Sequence, residues 1–196
     1  MIYKIYSSLK YLVIATILVG SASFFTWVFP SFFDSATKVS DGNTRFYNAK
    51  ELAGRLVYIR EGCSMCHSMF VRNLDEEVER YGPYTKPTQD LYDYPHVWGS
   101  KRTGPDLSNV GLKFSDFWHK SHLLNPRSLI KNSTMPSYPW LFEAKINGYE
   151  VEKLMKAMRK LGVPYTDEDI DEAEYSLRDL SKGDALIIYL QKLKPN

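Results

Sequence analysis

The sequence predicts an all-α protein, with an N-terminal transmembrane helix followed by one helical domain. An uncharged apolar run reaches from Tyr11 to Phe33. Beyond it, apolar residues recur at helical spacing, and no segment shows the alternation typical of a strand. The roughly 160 residues after the run suit a single domain. We predict a membrane anchor over residues 1–33, a polar tether over 34–47 and a folded domain over 48–196.

The apolar run has the length and the flanking charges of a membrane-spanning helix. A helix needs about 20 apolar residues to cross a bilayer, and this run is long enough. Lys4 and Lys10 precede it, whereas Asp34 and Asp41 follow it. The positive-inside rule then places the N-terminus in the cytoplasm and the domain outside. We expect the helix to stop near Pro30, because proline cannot donate a helical hydrogen bond.

A cleaved signal peptide is the alternative interpretation of this run. Ser21 and Ser23 are small residues that suit a cleavage site. The run continues for about ten residues beyond them, which a cleaved signal would not need. We therefore favour a retained anchor. Both interpretations export the domain.

Several segments of the domain have helical spacing and helix-starting residues. Asn48 can cap a helix that carries Leu52, Leu56 and Ile59 and ends near Gly62. Further helices are predicted in three places: Val151 to Leu161, Thr166 to about Leu180, and Asp184 to Lys194. The formal net charge of +2 is too small to suggest nucleic-acid binding.

The segment Cys63-Ser64-Met65-Cys66-His67 contains both cysteines of the chain. In C-x-x-C-H the thiols are spaced to form thioethers with the haem vinyl groups, and the histidine becomes an iron ligand. A thioredoxin-like site would need neighbouring strands, and a zinc site would need further Cys or His ligands at short spacing. A disulfide or a buried cysteine pair is the remaining alternative. We predict one covalent haem c, attached through Cys63 and Cys66 and ligated by His67.

Met135 is the predicted second axial ligand. It lies in the irregular segment Met135-Pro136-Ser137-Tyr138-Pro139, and a haem crevice needs a ligand on non-helical chain. His–Met ligation raises the reduction potential and closes the iron to oxygen, which suits an electron carrier. Met155 and Met158 are expected in the core. Three histidines stay open as ligands, with a surface or hydrogen-bonding role favoured for the last two: His96, His119 and His122.

The segment Trp98 to Leu107 carries candidate haem contacts. The Gly-Pro turn at Pro105 can present a carbonyl to the free nitrogen of the proximal histidine and so fix its orientation. Lys101 and Arg102 can pair with the haem propionates, since arginine binds carboxylates in a bidentate manner. A basic surface turn is the alternative for these two residues.

Sequence blocks across the whole chain, the anchor included, resemble the mono-haem cytochrome c subunit (subunit II, CcoO/FixO type) of cbb3-type cytochrome c oxidases. Together these blocks are far more specific than C-x-x-C-H alone. They are Gly54-Arg55, Tyr58 to Cys63, Cys66-His67-Ser68, Glu79 to Gly82, Trp98 to Leu107, Asn125-Pro126-Arg127, Met135 to Leu141 and Leu161 to Thr166.

The resemblance implies a class I cytochrome c fold with His67 and Met135 as axial ligands. It implies electron relay from a di-haem cytochrome c subunit (subunit III) to haem b and the haem–copper centre of the catalytic subunit (subunit I). Oxygen reduction and proton pumping would lie in that other chain. The implied location is the bacterial inner membrane, single-pass, with a periplasmic haem domain. A calcium ion at the interface with the catalytic subunit is also a family feature, and Ser100 lies in the segment associated with it.

Two other functions remain as alternatives. A free exported cytochrome would follow from cleavage near Ser23, and it would lack Met1 in the mature protein. A haem-based gas sensor or a peroxidase would have an open iron, and its untreated form would bind oxygen or carbon monoxide. We favour an electron-transfer subunit of a terminal oxidase.

Overall fold

A computed structural model describes residues 8–33, 44–99, 101–111 and 113–194. Within these ranges the protein is helical, and the extended backbone pairs only in an isolated bridge between Lys145 and Ser181. The prediction of an all-α protein with one N-terminal apolar helix is therefore confirmed. The chain divides into two compact units, Met1–Val39 and Ser40–Asn196.

The first unit contains an apolar helix that can cross a membrane. Helix α1 (Leu9–Ser23) continues as a π-helical turn (Phe24–Val28) and a 3₁₀ turn (Phe29–Phe33). These 25 residues have a mean hydropathy of 2.0 in their most apolar window. The expected stop at Pro30 was wrong, because helical turns continue past it. Since Pro30 has no N–H to donate, one helical hydrogen bond is missing there, and the adjoining residues form a π-helical turn and a 3₁₀ turn.

The second unit is built from short helices joined by irregular segments. Over the residues described, it contains nine α-helices and two 3₁₀ segments. The α-helices are α2 (Ala49–Arg60), α3 (Asp75–Tyr81), α4 (Asp116–Leu124), α5 (Pro126–Leu129), α6 (Trp140–Glu143), α7 (Gly148–Lys160), α8 (Asp167–Asp171), α9 (Ala173–Ser176) and α10 (Lys182–Lys192); the 3₁₀ segments are Cys63–Met65 and Pro87–Asp90.

Helices α2, α7 and α10 lie where the sequence predicted helices. Asn48 caps α2 through a capping box, in which its side chain accepts from the Glu51 N–H and the Glu51 carboxylate accepts from the Asn48 N–H. Asn147 caps α7 and Ser181 caps α10 in the same position. Each cap satisfies an N–H group that the helix itself leaves without a partner.

The single helix predicted from Thr166 to about Leu180 was wrong in its extent. Thr166 does cap a helix, but α8 ends at Asp171 and α9 follows after one residue. The residue between them, Glu172, has ψ −14°, whereas a regular α-helix needs about −42°. This tightening divides the segment, and Asp179, with φ 67°, then reverses the chain before α10.

The core of the second unit forms where α2 crosses α10. A Cβ on Gly54 would lie 2.0 Å from the carbonyl oxygen of Ala185, so the two backbones touch at this glycine. Tyr47, Tyr58 and Tyr189 pack around the crossing, with ring centroids 5.6–5.8 Å apart. Close helix packing of this kind fixes the position of the chain that follows α2.

A buried cluster of charges, which the sequence did not reveal, ties the irregular segment 85–98 to the core. Arg45 pairs with Asp90 at 3.3 Å, and Arg55 lies 3.7 Å from Asp93. Arg55 also donates to the carbonyl oxygens of Tyr94 and Pro95, at 3.0 and 2.6 Å. Burial raises the pKa of Asp93 to about 6, against the opposing effect of Arg55. These residues hold the chain that leads into the candidate site.

Candidate haem site

The C-x-x-C-H motif forms a tight turn directly after α2. Gly62 has φ 72°, a left-handed conformation that glycine adopts without the steric penalty of other residues. The backbone N–H groups of Cys66 and His67 then both donate to the carbonyl oxygen of Cys63, at 3.1 and 3.0 Å. The reversal at Gly62 therefore gathers both cysteines and the histidine into a single turn.

Both thiols of this turn are free. Cys63 is half-buried and Cys66 is exposed. Burial raises the pKa of the Cys63 thiol to about 12, with a smaller contribution from the Glu61 carboxylate. In the part of the chain that the structure describes, no three His, Cys, Asp or Glu side chains are grouped to hold a metal ion. The zinc alternative thus gains no support, and two free thiols in one turn fit thioether attachment.

The His67 ring is oriented by the Gly-Pro turn. Its Nδ1 lies 2.8 Å from the carbonyl oxygen of Pro105. Because a carbonyl oxygen only accepts, this hydrogen bond requires the proton on Nδ1 and leaves the lone pair on Nε2. Gly104 lies against the ring, since a Cβ there would be 2.2 Å from Cε1. The turn therefore prepares Nε2 of His67 to bind a metal.

Arg102 is directed towards protein acceptors. It donates to Ser68 Oγ at 2.7 Å, to the Phe70 carbonyl at 2.9 Å and to the Glu77 carboxylate at 2.9 Å. Lys101 is exposed, with no polar contact to the described residues. Ser100, the expected calcium contact, lies outside the described residues.

Glu77 is a site-supporting residue that sequence reasoning missed. It is 7% exposed and accepts from both Arg102 and Arg72. These hydrogen bonds hold the pKa of the Glu77 carboxyl well below its usual range. Arg102 is thereby fixed beside the Gly-Pro turn. The pairing spans 25 residues of chain, so no local pattern could have indicated it.

The segment that carries Met135 is held against the motif turn. Met135 is half-buried and packs on the core. Three residues further, the Tyr138 N–H donates to the Leu123 carbonyl at 2.8 Å. Burial raises the pKa of Tyr138, and the proximity of Cys63 and Cys66 raises it further.

A hydrogen bond also links the Met135 segment to the residues just before the motif turn. Trp140 Nε1 donates to the Glu61 carboxylate at 3.2 Å. Glu61 precedes Cys63 by two residues, and Trp140 follows Met135 by five. The structure thus brings the Met135 segment beside the C-x-x-C-H turn. Met155 and Met158 are buried in the core, as predicted.

The remaining histidines occupy different environments. His96 is exposed and stacks on Trp98, with ring centroids 4.7 Å apart. His119 is 4% exposed, and His122 is half-buried on the same helix, α4.

The whole-chain comparison decides among the functions that such a turn allows. The family model described as "Cytochrome C oxidase, mono-heme subunit/FixO" matches residues 4–194. The chain belongs to the FixO family. It is thus a mono-haem subunit of a cytochrome c oxidase. A comparison with curated proteins finds no match.

Membership of the FixO family implies one haem, and the turn is the place where the described residues suit it. The donor set offers two thiols, an imidazole with a fixed tautomer and a nearby thioether. This is the chemistry that a covalently attached, His–Met-ligated haem needs. The side chains present therefore fit the group.

Proposed function

We propose that this chain is a membrane-anchored c-type cytochrome that relays electrons within a cbb3-type oxidase. Electrons pass from a di-haem cytochrome c subunit to the haem–copper catalytic subunit. The observation that carries the proposal is the Pro105 carbonyl 2.8 Å from His67 Nδ1, in a chain of the FixO family. Such a hydrogen bond keeps one nitrogen of the histidine available to iron in both oxidation states.

Of the residues proposed to hold the haem, two attach it covalently and two bind its iron. Cys63 and Cys66 would form the two thioethers, and His67 and Met135 would ligate the iron. Haem c, when bound, supplies a one-electron couple. With His67 and Met135 both bound, the iron would offer no site to oxygen, and little rearrangement would accompany each electron. The Pro105 carbonyl fixes the orientation of the His67 ring. Arg102, through its hydrogen bonds to Ser68 and Phe70, holds the turn that carries Pro105 in place.

The proposed domain organisation follows from the anchor. Residues 1–33 span the bacterial inner membrane once with the N-terminus in the cytoplasm, residues 34–47 form the tether, and residues 48–196 form the periplasmic haem domain. The apolar helix Leu9–Phe33 supports the anchor. Arg45 and Tyr47, near the end of the tether, are buried in the second unit.

Exposed aromatic side chains support contact with partner subunits. Tyr84, Trp98 and Trp140 are 40–47% exposed. The first two lie in irregular chain, and Trp140 is the first residue of α6. Aromatic residues are enriched in the buried centres of protein interfaces. We propose that these segments, 79–106 and 125–141, face the catalytic and di-haem subunits. A calcium ion near Ser100 belongs to the same proposal.

A haem inventory tests the oxidase assignment. The full-length, tagged chain is purified from membranes in mild detergent, and its reduced pyridine haemochrome spectrum is recorded. We expect haem c together with stoichiometric haem b, because the catalytic subunit should accompany the chain. Haem c alone in every mild detergent tried would contradict membership of the complex. Haem b alone would contradict covalent attachment through Cys63 and Cys66.

A pair of methionine variants tests the axial ligand. Met135→Leu should lower the midpoint potential of the haem c and slow oxygen consumption by the complex, since a strong stabiliser of the reduced iron is lost. Met65→Leu is the control, because Met65 lies in the motif turn but is 71% exposed. Equal turnover in both variants would refute Met135 as the ligand.

A further inference from the structure

The buried charge cluster contains four side-chain atoms that have no hydrogen-bond partner among the described residues. They are Nε of Arg45, Nε of Arg55, Oδ1 of Asp93 and Oγ of Ser108. These four residues are between 1% and 6% exposed. Buried polar atoms in native proteins are nearly all paired, so a group of exceptions in one place calls for an explanation.

The Asp93 carboxyl group has a hydrogen-bond donor on one oxygen alone. Its Oδ2 accepts from the Tyr47 hydroxyl at 3.3 Å. Its Oδ1 lies 3.7 Å from Nε of Arg55, which is beyond hydrogen-bonding distance. Arg55 instead uses its two terminal nitrogens for the carbonyl oxygens of Tyr94 and Pro95. Because an ionised carboxylate is stabilised by donors on both oxygens, the free Oδ1 favours a proton on this group.

The other ionisable groups that face Asp93 keep a fixed charge near neutral pH, with Asp90 considered separately below. They come from each element that packs on the carboxyl group: Arg45 and Tyr47 before α2, Arg55 on α2, Asp90 in the 3₁₀ segment, Tyr165 before α8 and Tyr189 on α10. Guanidinium groups stay protonated in proteins. Burial raises the pKa of all three phenols, so they stay neutral. Burial also raises the pKa of Asp93, to about 6, which leaves Asp93 able to change its charge.

Asp90 shares the burial of Asp93 but has a donor on each oxygen. Arg45 donates to its Oδ1 at 3.3 Å, and Nε1 of Trp98 donates to its Oδ2 at 2.9 Å. Burial raises the pKa of Asp90, whereas the Arg45 charge and the Trp98 hydrogen bond both favour its ionised form. We therefore expect Asp90 to stay ionised, which makes it a matched control for Asp93.

Two contacts join the elements of this cluster to the motif turn. From α2, the Tyr58 hydroxyl donates to the carbonyl oxygen of His67 at 3.1 Å. From the segment that contains Asp93, the Trp98 carbonyl oxygen accepts from the Met69 N–H at 2.6 Å. Both contacts reach the backbone at or within two residues of His67. The Asp93 carboxyl group is thus held in the same packed region as the turn, where salt screens charges less than at the surface.

We propose that Asp93 binds a proton when the haem is reduced and releases it when the haem is oxidised. The inference rests on the proposed attachment of the haem at the motif turn. The Asp93 carboxylate takes a proton from bulk water as the haem gains an electron from its donor, and it returns the proton to water on oxidation. Oxidised iron carries one more positive charge than reduced iron, so it favours the ionised carboxylate. The midpoint potential therefore falls as the pH rises through the range in which Asp93 titrates.

The midpoint potential of the haem c, measured against pH in the full-length protein purified from membranes, tests this coupling. In the wild type we expect the potential to fall as the pH rises through about 6 and then to level off. Asp93→Asn should make the potential independent of pH over this range, because the amide is neutral like the protonated acid. The variant should match the wild type at low pH and exceed it at high pH.

Two control variants identify the titrating group. Asp90→Asn should keep the fall in potential but move it to lower pH, because the negative charge of Asp90 raises the pKa of Asp93. His96→Gln should keep the fall unchanged. His96 is the necessary comparison because it is exposed and stacks on Trp98, in the same segment, and an imidazole ordinarily titrates near pH 6.5.

Two further measurements decide the question if Asp93→Asn fails to load haem. Tyr47→Phe removes the hydrogen bond that favours the ionised carboxylate, so the fall in potential should move to higher pH. The infrared difference spectrum between reduced and oxidised wild type should contain the carbonyl stretch of a protonated carboxylic acid in the reduced state.

Three results would overturn the inference: a fall in potential that persists in Asp93→Asn, a wild-type potential that does not depend on pH, and an infrared spectrum without the carboxylic-acid signal. In the first case a flat His96→Gln would assign the proton to His96, and otherwise the haem carboxylates would carry it. A wild-type protein without haem c would refute the proposed function and this inference together. Haem c with a pH-independent potential refutes the inference alone.

Discussion

Gly104→Ala should disrupt histidine ligation by adding one methyl group. The added Cβ would lie 2.2 Å from Cε1, 2.7 Å from Nδ1 and 2.8 Å from Nε2 of His67. The backbone at Gly104 has no positive φ, so alanine itself is conformationally acceptable there. The whole effect of the substitution therefore comes from contact with the imidazole ring.

The structure gives the size of the displacement. Carbon atoms touch at roughly 3.5 Å, so the ring or the turn must move by roughly 1.3 Å. If His67 moves, its nitrogen would leave the proposed iron position, because metal–ligand distances tolerate only about 0.2 Å. If the turn moves instead, the 2.8 Å contact from His67 Nδ1 to Pro105 lengthens. It would reach roughly 4 Å, beyond hydrogen-bonding distance. Either movement breaks one of the two contacts that hold the ring.

Absorption spectra separate ligation from attachment. If the haem is attached as proposed, we expect Gly104→Ala to keep covalent haem c, because the proposed thioethers at Cys63 and Cys66 do not depend on His67, but to lose part of the low-spin ferric spectrum. Gly20→Ala is a matched control, since nothing lies within 4 Å of a Cβ at that position. Thr103→Ala is a second control, on the exposed neighbour of Gly104. A wild-type spectrum and a wild-type midpoint potential in Gly104→Ala would refute the proposed orientation of His67.

Two further predictions concern the scaffold. Gly54→Ala should lower the free energy of unfolding of the haem domain by about 1–3 kcal/mol, because the added Cβ would lie 2.0 Å from the Ala185 carbonyl oxygen. Melting followed by circular dichroism checks this, and an unchanged midpoint would contradict the close helix crossing. Glu77→Gln should lower the free energy of unfolding by about 1–2 kcal/mol at neutral pH, because Arg102 and Arg72 stabilise the carboxylate in the folded state. Since the folded-state pKa is lowered, this difference is fully present above the ordinary carboxyl pKa of about 4.3 and is lost as the pH falls below it. If the difference in free energy of unfolding between wild type and Glu77→Gln grew in acid, the pairing of Glu77 with Arg102 and Arg72 would be refuted.

Short-range signals predicted α2, α7, α10 and the start of α8, but not the short helices α3 to α6. Asn48 and Glu51, three residues apart, form the capping box that starts α2. Gly62, with a positive φ, reverses the chain after α2 ends. Such features depend on residues within one helical turn, so a single sequence contains them. The Thr166 segment shows the limit of this reasoning. Its cap was predictable, whereas no local signal indicated the break at Glu172, on either side of which Ile170 and Ala173 pack in the core.

The polar residues that support the site were not predictable in the same way. Arg102 and Glu77 are ordinary charges in the sequence, and their pairing appears only when α3 lies beside the Gly-Pro turn. Arg45 and Arg55 are buried with Asp90 and Asp93 across about 40 residues of chain. Charged residues are mostly exposed, so the sequence favours a surface position for all of them. Only the tertiary fold decides which charges are buried in pairs.

At the Gly-Pro pair, the sequence indicated one of the two residues that orient His67 and missed the other. The sequence indicated Pro105 as the source of a carbonyl for His67. The structure gives Gly104 an equal part, because the imidazole occupies the space that any other side chain would need. The absence of a Cβ at Gly104 lets the ring approach the turn. The two residues act as one element, so a substitution at either should change the same quantity, the orientation of the His67 ring.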